Sequence, residues 1–154
     1  MDKYTCLSVK QPYADLLVIP TFEDEEGILQ ADKTIEVRSR NTKYRGDILI
    51  CASAKPEIYG KMSGCTIGLV ELYDVKPIEE FTEHDWIETC IPFNERPKKG
   101  YGWLVRNPRR VVEVPVKGQL GFFTREFPEG EITEYLTALK LDNKGIVMIK
   151  KRLK

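Results

Sequence analysis

The sequence predicts an α+β fold that is mainly β, a small β-barrel with short flanking helices. Three observations predict it. Strand-like runs outnumber helical patterns. Turn formers separate those runs at the short spacing of small barrels. And the 154 residues suit one domain, 1–154, which can bury roughly 70% of its unfolded surface without staples.

The elements follow in order. "TCLSV" reads as a first strand, and "KQPYADLLVI" as a short helix with Pro12 in its first turn, where a missing N–H costs nothing. "PTFEDEEGILQA" holds Pro20, Gly27 and a run of acids, and reads as an exposed acidic loop. Thr34 to Ser39 and Asp47 to Ser53 read as two strands of one hairpin joined by "RNTKYRG". "AKPEIYGKMSG" is a turn region closed by Gly64, and "CTIGLVELYDVKPI" is the longest strand signal. "FTEHDWIETC" reads as a short helix capped by Thr82. After the Pro-rich loop "IPFNERPKKG", "YGWLVRNPRRVVEVPVKG" is a broken pair of strands whose Pro108 and Pro115 suit edges or bends. "EITEYLTALK" reads as a final helix and "GIVMIKKRL" as a final strand.

Charge narrows the partners. Lys plus Arg and Asp plus Glu are 24 each, so no global field draws the chain onto a polyanion, and any such site must be local. No apolar run approaches the ~20 residues that span a bilayer, and "MDKYTCLSVK" lacks the apolar core of a secretory signal. The expectation is a cytoplasmic protein without membrane contact. The four cysteines form no CxxC pair and His84 is the sole histidine, so neither a metal site nor a cofactor is expected. Cys6 and Cys51, in apolar runs, read as buried reduced thiols.

Within the predicted hairpin stand Lys33, Arg38, Arg40, Lys43 and Arg45, with Glu36 among them. Alternation in "TIEVRS" puts Ile35 and Val37 on one face, read as the core face, and Thr34, Glu36 and Arg38 on the other. From the strand alone, that second face reads as solvated. Lys33 shares the parity of Ile35 but starts the strand, where it can curl outward. Glu71 is the more unusual carboxylate. It sits in "TIGLVELYDV", apolar on both faces, where a charge costs several kcal/mol unless paired or protonated. A cleft carboxylate held by a cation and a residue on a barrel rim both satisfy this.

Taken together, "LSVKQPYADLL", "DKTIEVRS" with "YRGDILICAS", "GLVELYDV" and "GWLVRNPRRV" resemble the ASCH domain of the PUA-like superfamily. The likeness extends to the ASCH domain of transcriptional coactivators and to stand-alone bacterial and phage relatives. The combination of "QPYA", "KxxExR" and "YRG" carries it. The resemblance implies a PUA-like β-barrel and a nucleic-acid-binding cleft, with RNA or another single-stranded nucleic acid as partner. On that analogy Gln11, Tyr13, Lys33, Glu36, Arg38 and Arg45 line the cleft, Glu71 forms its floor in an ion pair with Lys33 or Arg38, and Trp103 closes a wall. Tyr44 and Tyr101 are further candidates for stacking on bases. Arg96, Lys98, Lys99, Arg106, Arg109 and Arg110 are cations that could extend the path.

One branch of the family, the acetylcytidine amidohydrolases, implies a second reading. There a Lys, a Thr three residues later and a Glu on a later strand do the chemistry, and Lys33 and Glu71 would be the catalytic pair here. The position three after Lys33 is Glu36, and a carboxylate cannot replace a hydroxyl nucleophile without changing the mechanism. A protein-interaction domain, suggested by the acidic stretch from Glu23 to Glu26, is a third reading.

Overall fold

Residues 47–52 alternate Asp, Leu and Cys with two isoleucines and an alanine, and Ile48 to Ala52 are all buried. A strand apolar on both faces belongs in the middle of a sheet. In the computed structural model, which describes residues 1–142 and 145–152 and the side chains of residues 1–135, that is where this strand lies.

The elements are β1 (Asp2–Val9), α1 (Tyr13–Val18), β2 (Pro20–Glu23), β3 (Leu29–Ala31), β4 (Ile35–Arg38), β5 (Gly46–Ala52), β6 (Cys65–Pro77), α2 (Glu83–Thr89), β7 (Tyr101–Arg110), β8 (Phe122–Phe127), β9 (Tyr135–Asp142) and β10 (Gly145–Arg152). Short 3₁₀ turns cover Ile78–Glu80 and Phe93–Glu95. The main sheet runs β4-β7-β6-β5-β1-β8. It is mixed: β1 runs parallel to β5, and the other neighbours are antiparallel. The fold is therefore mainly β with short α-helices, as the sequence predicts, and among the described residues α1 and α2 are those helices.

The sheet has two packed faces. On one, Ala14, Leu17 and Val18 of α1 meet Leu7, Val9, Ile48, Ile50, Val70 and Leu72. On the other, Cys6, Leu49, Cys51 and Leu69 meet Val111, Phe123, Phe127 and Ile132. Each fully buried aliphatic side chain contributes about 1.5–3 kcal/mol. Gly68 lets α1 lie close: a Cβ there would stand 2.5 Å from Val18 Cβ and 2.7 Å from the Arg109 carbonyl oxygen.

The barrel expectation needs correction. The sheet ends at β4 and at β8, and among the described residues no backbone pairing joins these edges. Side chains bridge them instead. Trp103 of β7 stacks on Phe122 of β8, with ring centroids 4.9 Å apart. Arg38 of β4 donates to the Ser8 carbonyl of β1 at 3.0 Å. The sheet is curled, and its seam is left open.

Four element readings also change. β4 and β5 do not form a hairpin, because β7 and β6 lie between them. The acidic "loop" is the β2–β3 hairpin, whose turn is built on Asp24 Oδ1 accepting from the N–H groups of Glu26 and Ile28. Residues 135–142 are strand, paired with β10, although Glu, Leu, Ala and Lys favour helix; propensity is a weak prior that pairing overrides. The "broken pair" is one strand, β7, in which Pro108 falls where the pairing with β6 slips by a residue, next to Asn107 at φ 54°. The α2 reading stands: Thr82 Oγ1 accepts from Asp85 N–H, and the Asp85 carboxylate accepts from Thr82 N–H, a reciprocal cap. Among the described residues no helix is long and apolar enough to cross a membrane.

Candidate functional site

The open seam holds a cavity of about 890 Å³. Its walls are the ends of β1 and β5, strand β4 with Ser39, the first turn of α1, Ile91 and Glu95, and the loop Val116–Gly121. Gly118 brings that loop against β1, since a Cβ there would fall 2.2 Å from Ser8 Oγ.

Lys33 is set before β4 by two backbone stitches. Its N–H donates to the Leu16 carbonyl at the end of α1, and Thr34 N–H donates to the Glu88 carbonyl of α2. The Lys33 side chain therefore runs inward between the helices and is 1% exposed. The expected outward curl is not found. Nζ donates to the carbonyls of Ile35 (2.8 Å) and Thr89 (2.6 Å) and lies 3.4 Å from Glu36 Oε1. An ammonium has three protons, and three acceptors surround this one. Nζ also stands 5.3 Å from the Tyr13 ring centroid. Burial pulls the Lys33 pKa below its ordinary value, with Glu36 opposing that pull.

Glu36 divides its oxygens. Oε1 faces Lys33, while Oε2 accepts from Arg38 Nε at 2.9 Å and lies 2.8 Å from Arg38 Nη2. Glu36 is directly opposite Trp103 in the β4–β7 register, so the face carrying Glu36 and Arg38 turns into the curl. It is not solvated. Arg38 Nη1 has no hydrogen-bond partner among the described residues, and its side chain keeps 25% of its surface open to the cavity.

Of the eight residues named from the sequence, Tyr13, Lys33, Glu36 and Arg38 line this cavity. Gln11 is buried behind it. Its amide donates to Asp15 Oδ1 and to the Met62 carbonyl and accepts from Asp15 N–H, all at 3.0 Å, fixing the start of α1 against the loop before β6. Arg45 lies in a separate groove with Asn41, Thr42, Lys43, Val75, Pro77 and Tyr101. Trp103 is core, 4% exposed, with its indole N–H on the Arg40 carbonyl.

Glu71 is a correction. It does not line the cavity and pairs with neither Lys33 nor Arg38. Arg106 holds it through two bonds of 3.1 and 3.3 Å. Glu71 has the same parity as Leu69, whose face is opposite to that of Val70 and Leu72. Asp47 stands beside it across the sheet and is held by Arg109, and Arg110 pairs with Glu113. The β7 arginines thus neutralise neighbouring carboxylates and do not extend the cavity. Tyr44 spends its hydroxyl on the Asp47 carbonyl.

Sequence reasoning missed Lys10, Lys117 and Glu95. Lys10 and Lys117 are exposed, line the cavity, and have no side-chain partner among the described residues. Lys10 directly precedes the "QPYA" motif, which was its one available signal. Nothing local marks the loop of Lys117 as a cavity wall. Cys51 also lines the cavity, but its thiol is pushed far up, first by its hydrogen bond with Cys6 and then by burial, so it is not a nucleophile. Among the described residues no cluster of His, Cys, Asp and Glu could hold a metal.

These features define a β-rich domain with a cavity at the seam of its sheet, lined in part by Lys33, Glu36 and Arg38. The ASCH domain family model matches residues 24–137, and the chain belongs to that family. It is similar to human Activating signal cointegrator 1, with 29% identity in an alignment of 136 positions that takes in 73% of this chain. The matched region is 21% of that protein's length.

Proposed function

We propose that this chain is a nucleic-acid-binding module that takes single-stranded RNA or DNA into the seam cavity. The observation that carries the reading is a local charge excess on a neutral chain. Lys10, Lys33, Arg38 and Lys117 line the cavity against Glu36 and Glu95. Glu36 is shared by Lys33 and Arg38, which leaves the exposed Lys10 and Lys117, with Arg38 Nη1, to meet an anion. The cavity volume falls within the roughly 300–1,000 Å³ typical of small-ligand pockets, enough for a nucleotide unit. Arg38 offers the free N–H groups of Nη1, its Nε and Nη2 being spent on Glu36 and the Ser8 carbonyl, and Tyr13 offers a ring for stacking.

An amidohydrolase reading draws less support. The position that would supply a hydroxyl is Glu36, whose oxygens are occupied by Lys33 and Arg38. The Thr34 hydroxyl is spent on Glu88 at 2.6 Å, and Glu71 stands with Arg106 outside the cavity.

Fluorescence anisotropy with short labelled oligonucleotides tests the proposal. Single strands bind more tightly than the matching duplex. Two or three phosphate contacts give a log–log salt slope of about −1.4 to −2.1, at roughly 0.7 per contact. No binding of any oligonucleotide at low ionic strength overturns it.

A further inference from the structure

We propose that Glu95 selects guanine in the seam cavity, accepting from the adjacent N1–H and N2–H donors of a base stacked on Tyr13. This rests on the cavity's taking a single strand, and it names the base that is preferred there. Glu36 and Glu95 are the carboxylates of the lining. Glu36 has both oxygens occupied, by Lys33 and Arg38. Glu95 is exposed, and its carboxylate has no hydrogen bond or ion pair among the described residues. The cations that follow it in the chain are engaged elsewhere. The Arg96 guanidinium lies 4.7 Å from the Phe93 ring centroid and 5.2 Å from that of Trp86, and donates to Glu83 at 3.1 Å. Lys98 and Lys99 are carried to the turn of Glu79 and Glu80, because Ile78 N–H donates to the Gly100 carbonyl at 3.1 Å. The backbone under Glu95 is held. Its N–H donates to the Pro92 carbonyl at 2.9 Å, closing the 3₁₀ turn Phe93–Glu95, and the clamped Arg96 comes next.

Glu95 also stands near Tyr13, the aromatic ring of the lining. The Tyr13 hydroxyl titrates above its ordinary value, through burial first and the charge of Glu95 second. A carboxylate and a stacking ring therefore serve the same part of the cavity, while Lys10 and Lys117 stand on other walls, free for phosphate. An unpaired carboxylate repels phosphate, so what it can recognise in a nucleic acid is a donor. The Watson–Crick edge of guanine has two donors side by side, N1–H and the N2 amino group. They match the two oxygens of one carboxylate in the way an arginine fork does. Cytosine and adenine place an acceptor nitrogen next to their amino group, and uracil and thymine flank N3–H with two carbonyls. Those acceptors repel the second carboxylate oxygen. A single strand leaves this edge free to be read.

The test uses the full chain and labelled uridine strands of equal length that carry uracil, guanine, hypoxanthine, adenine or cytosine at one central position. By fluorescence anisotropy the guanine strand is expected to bind about tenfold more tightly than the all-uridine strand. Hypoxanthine, which keeps N1–H and lacks the amino group, falls between them. Glu95→Ala removes the preference, so that the guanine and uridine strands bind alike. The side chain is exposed, and an unchanged melting temperature verifies the fold. The proposal is overturned if wild type binds the guanine and uridine strands equally, if cytosine or adenine is preferred, or if Glu95→Ala keeps the guanine preference. A preference for RNA over the matching DNA strands at every base, lost in Glu95→Ala, gives the carboxylate to the ribose 2′-hydroxyl and also overturns it. In each of these cases the cavity still holds a single strand, whereas absence of binding by every strand overturns both proposals.

Discussion

Lys33 and Glu36, three residues apart, form an ion pair of 3.4 Å in which the lysine is 1% exposed and the carboxylate 11%. Neither has enough water to carry its charge alone, so each is the condition for the other. Arg38 completes the arrangement on the second Glu36 oxygen and links it to β1 through the Ser8 carbonyl. The charged centre of the cavity is therefore also part of what holds the sheet in its curl.

Glu36→Gln removes the counter-charge and strands a buried ammonium. The expected cost is about 3–5 kcal/mol in urea denaturation. Glu71→Gln, whose pair with Arg106 is more than a third exposed, costs little. The reverse order would mean that the buried carboxylate had been misassigned.

Alkaline stability reports on Lys33 directly. Its folded pKa lies below the ordinary 10.5 because of burial, so between those values the unfolded chain binds more protons than the folded one. Stability owed to this group then rises with pH. Lys33→Met lacks the titration, while the tyrosines and cysteines titrate in both proteins. The stability of wild type minus that of Lys33→Met is expected to rise as pH approaches 10.5, by up to about 1.4 kcal/mol per pH unit. A constant or falling difference contradicts the burial effect.

Thr82→Ala removes one half of the reciprocal cap on α2, whose Thr89 carbonyl holds Lys33. A loss of about 1 kcal/mol is expected, a drop of roughly 2–4 °C in melting temperature for a chain of this size. Thr82→Ser keeps the acceptor and stays near wild type.

What was legible in the sequence was local. The cap at Thr82 and the long β6 each depend on residues a few positions apart, whereas the strand alone made Glu36 and Arg38 a solvated face, and only the family resemblance put them with Lys33 in a cleft. What was not legible depends on register between distant strands. Glu71 meets Arg106 through the β6–β7 pairing, which slips beside it between Leu69 and Glu71. The two strands of the supposed hairpin are separated by β7 and β6, which arrive later in the chain. Strand β8 was overlooked because its buried Phe123 and Phe127 have an exposed Arg125 between them, which breaks the alternation of a strand and leaves a spacing of four that a helix shares. The cavity wall from Val116 to Gly121 carries no motif and is placed by the contact of Gly118 with Ser8.

The central claim is that the cations at the seam meet the phosphates of a single strand. Comparing the salt dependence of oligonucleotide binding for wild type and for the double variant Lys10→Ala, Lys117→Ala tests it most directly. Both side chains are exposed and without a partner among the described residues, so the fold is expected to persist. Loss of two phosphate contacts makes the log–log slope shallower by about 1.4, at roughly 0.7 per contact. A slope identical to that of wild type, with unchanged affinity, would place the nucleic acid elsewhere on the chain and contradict the account.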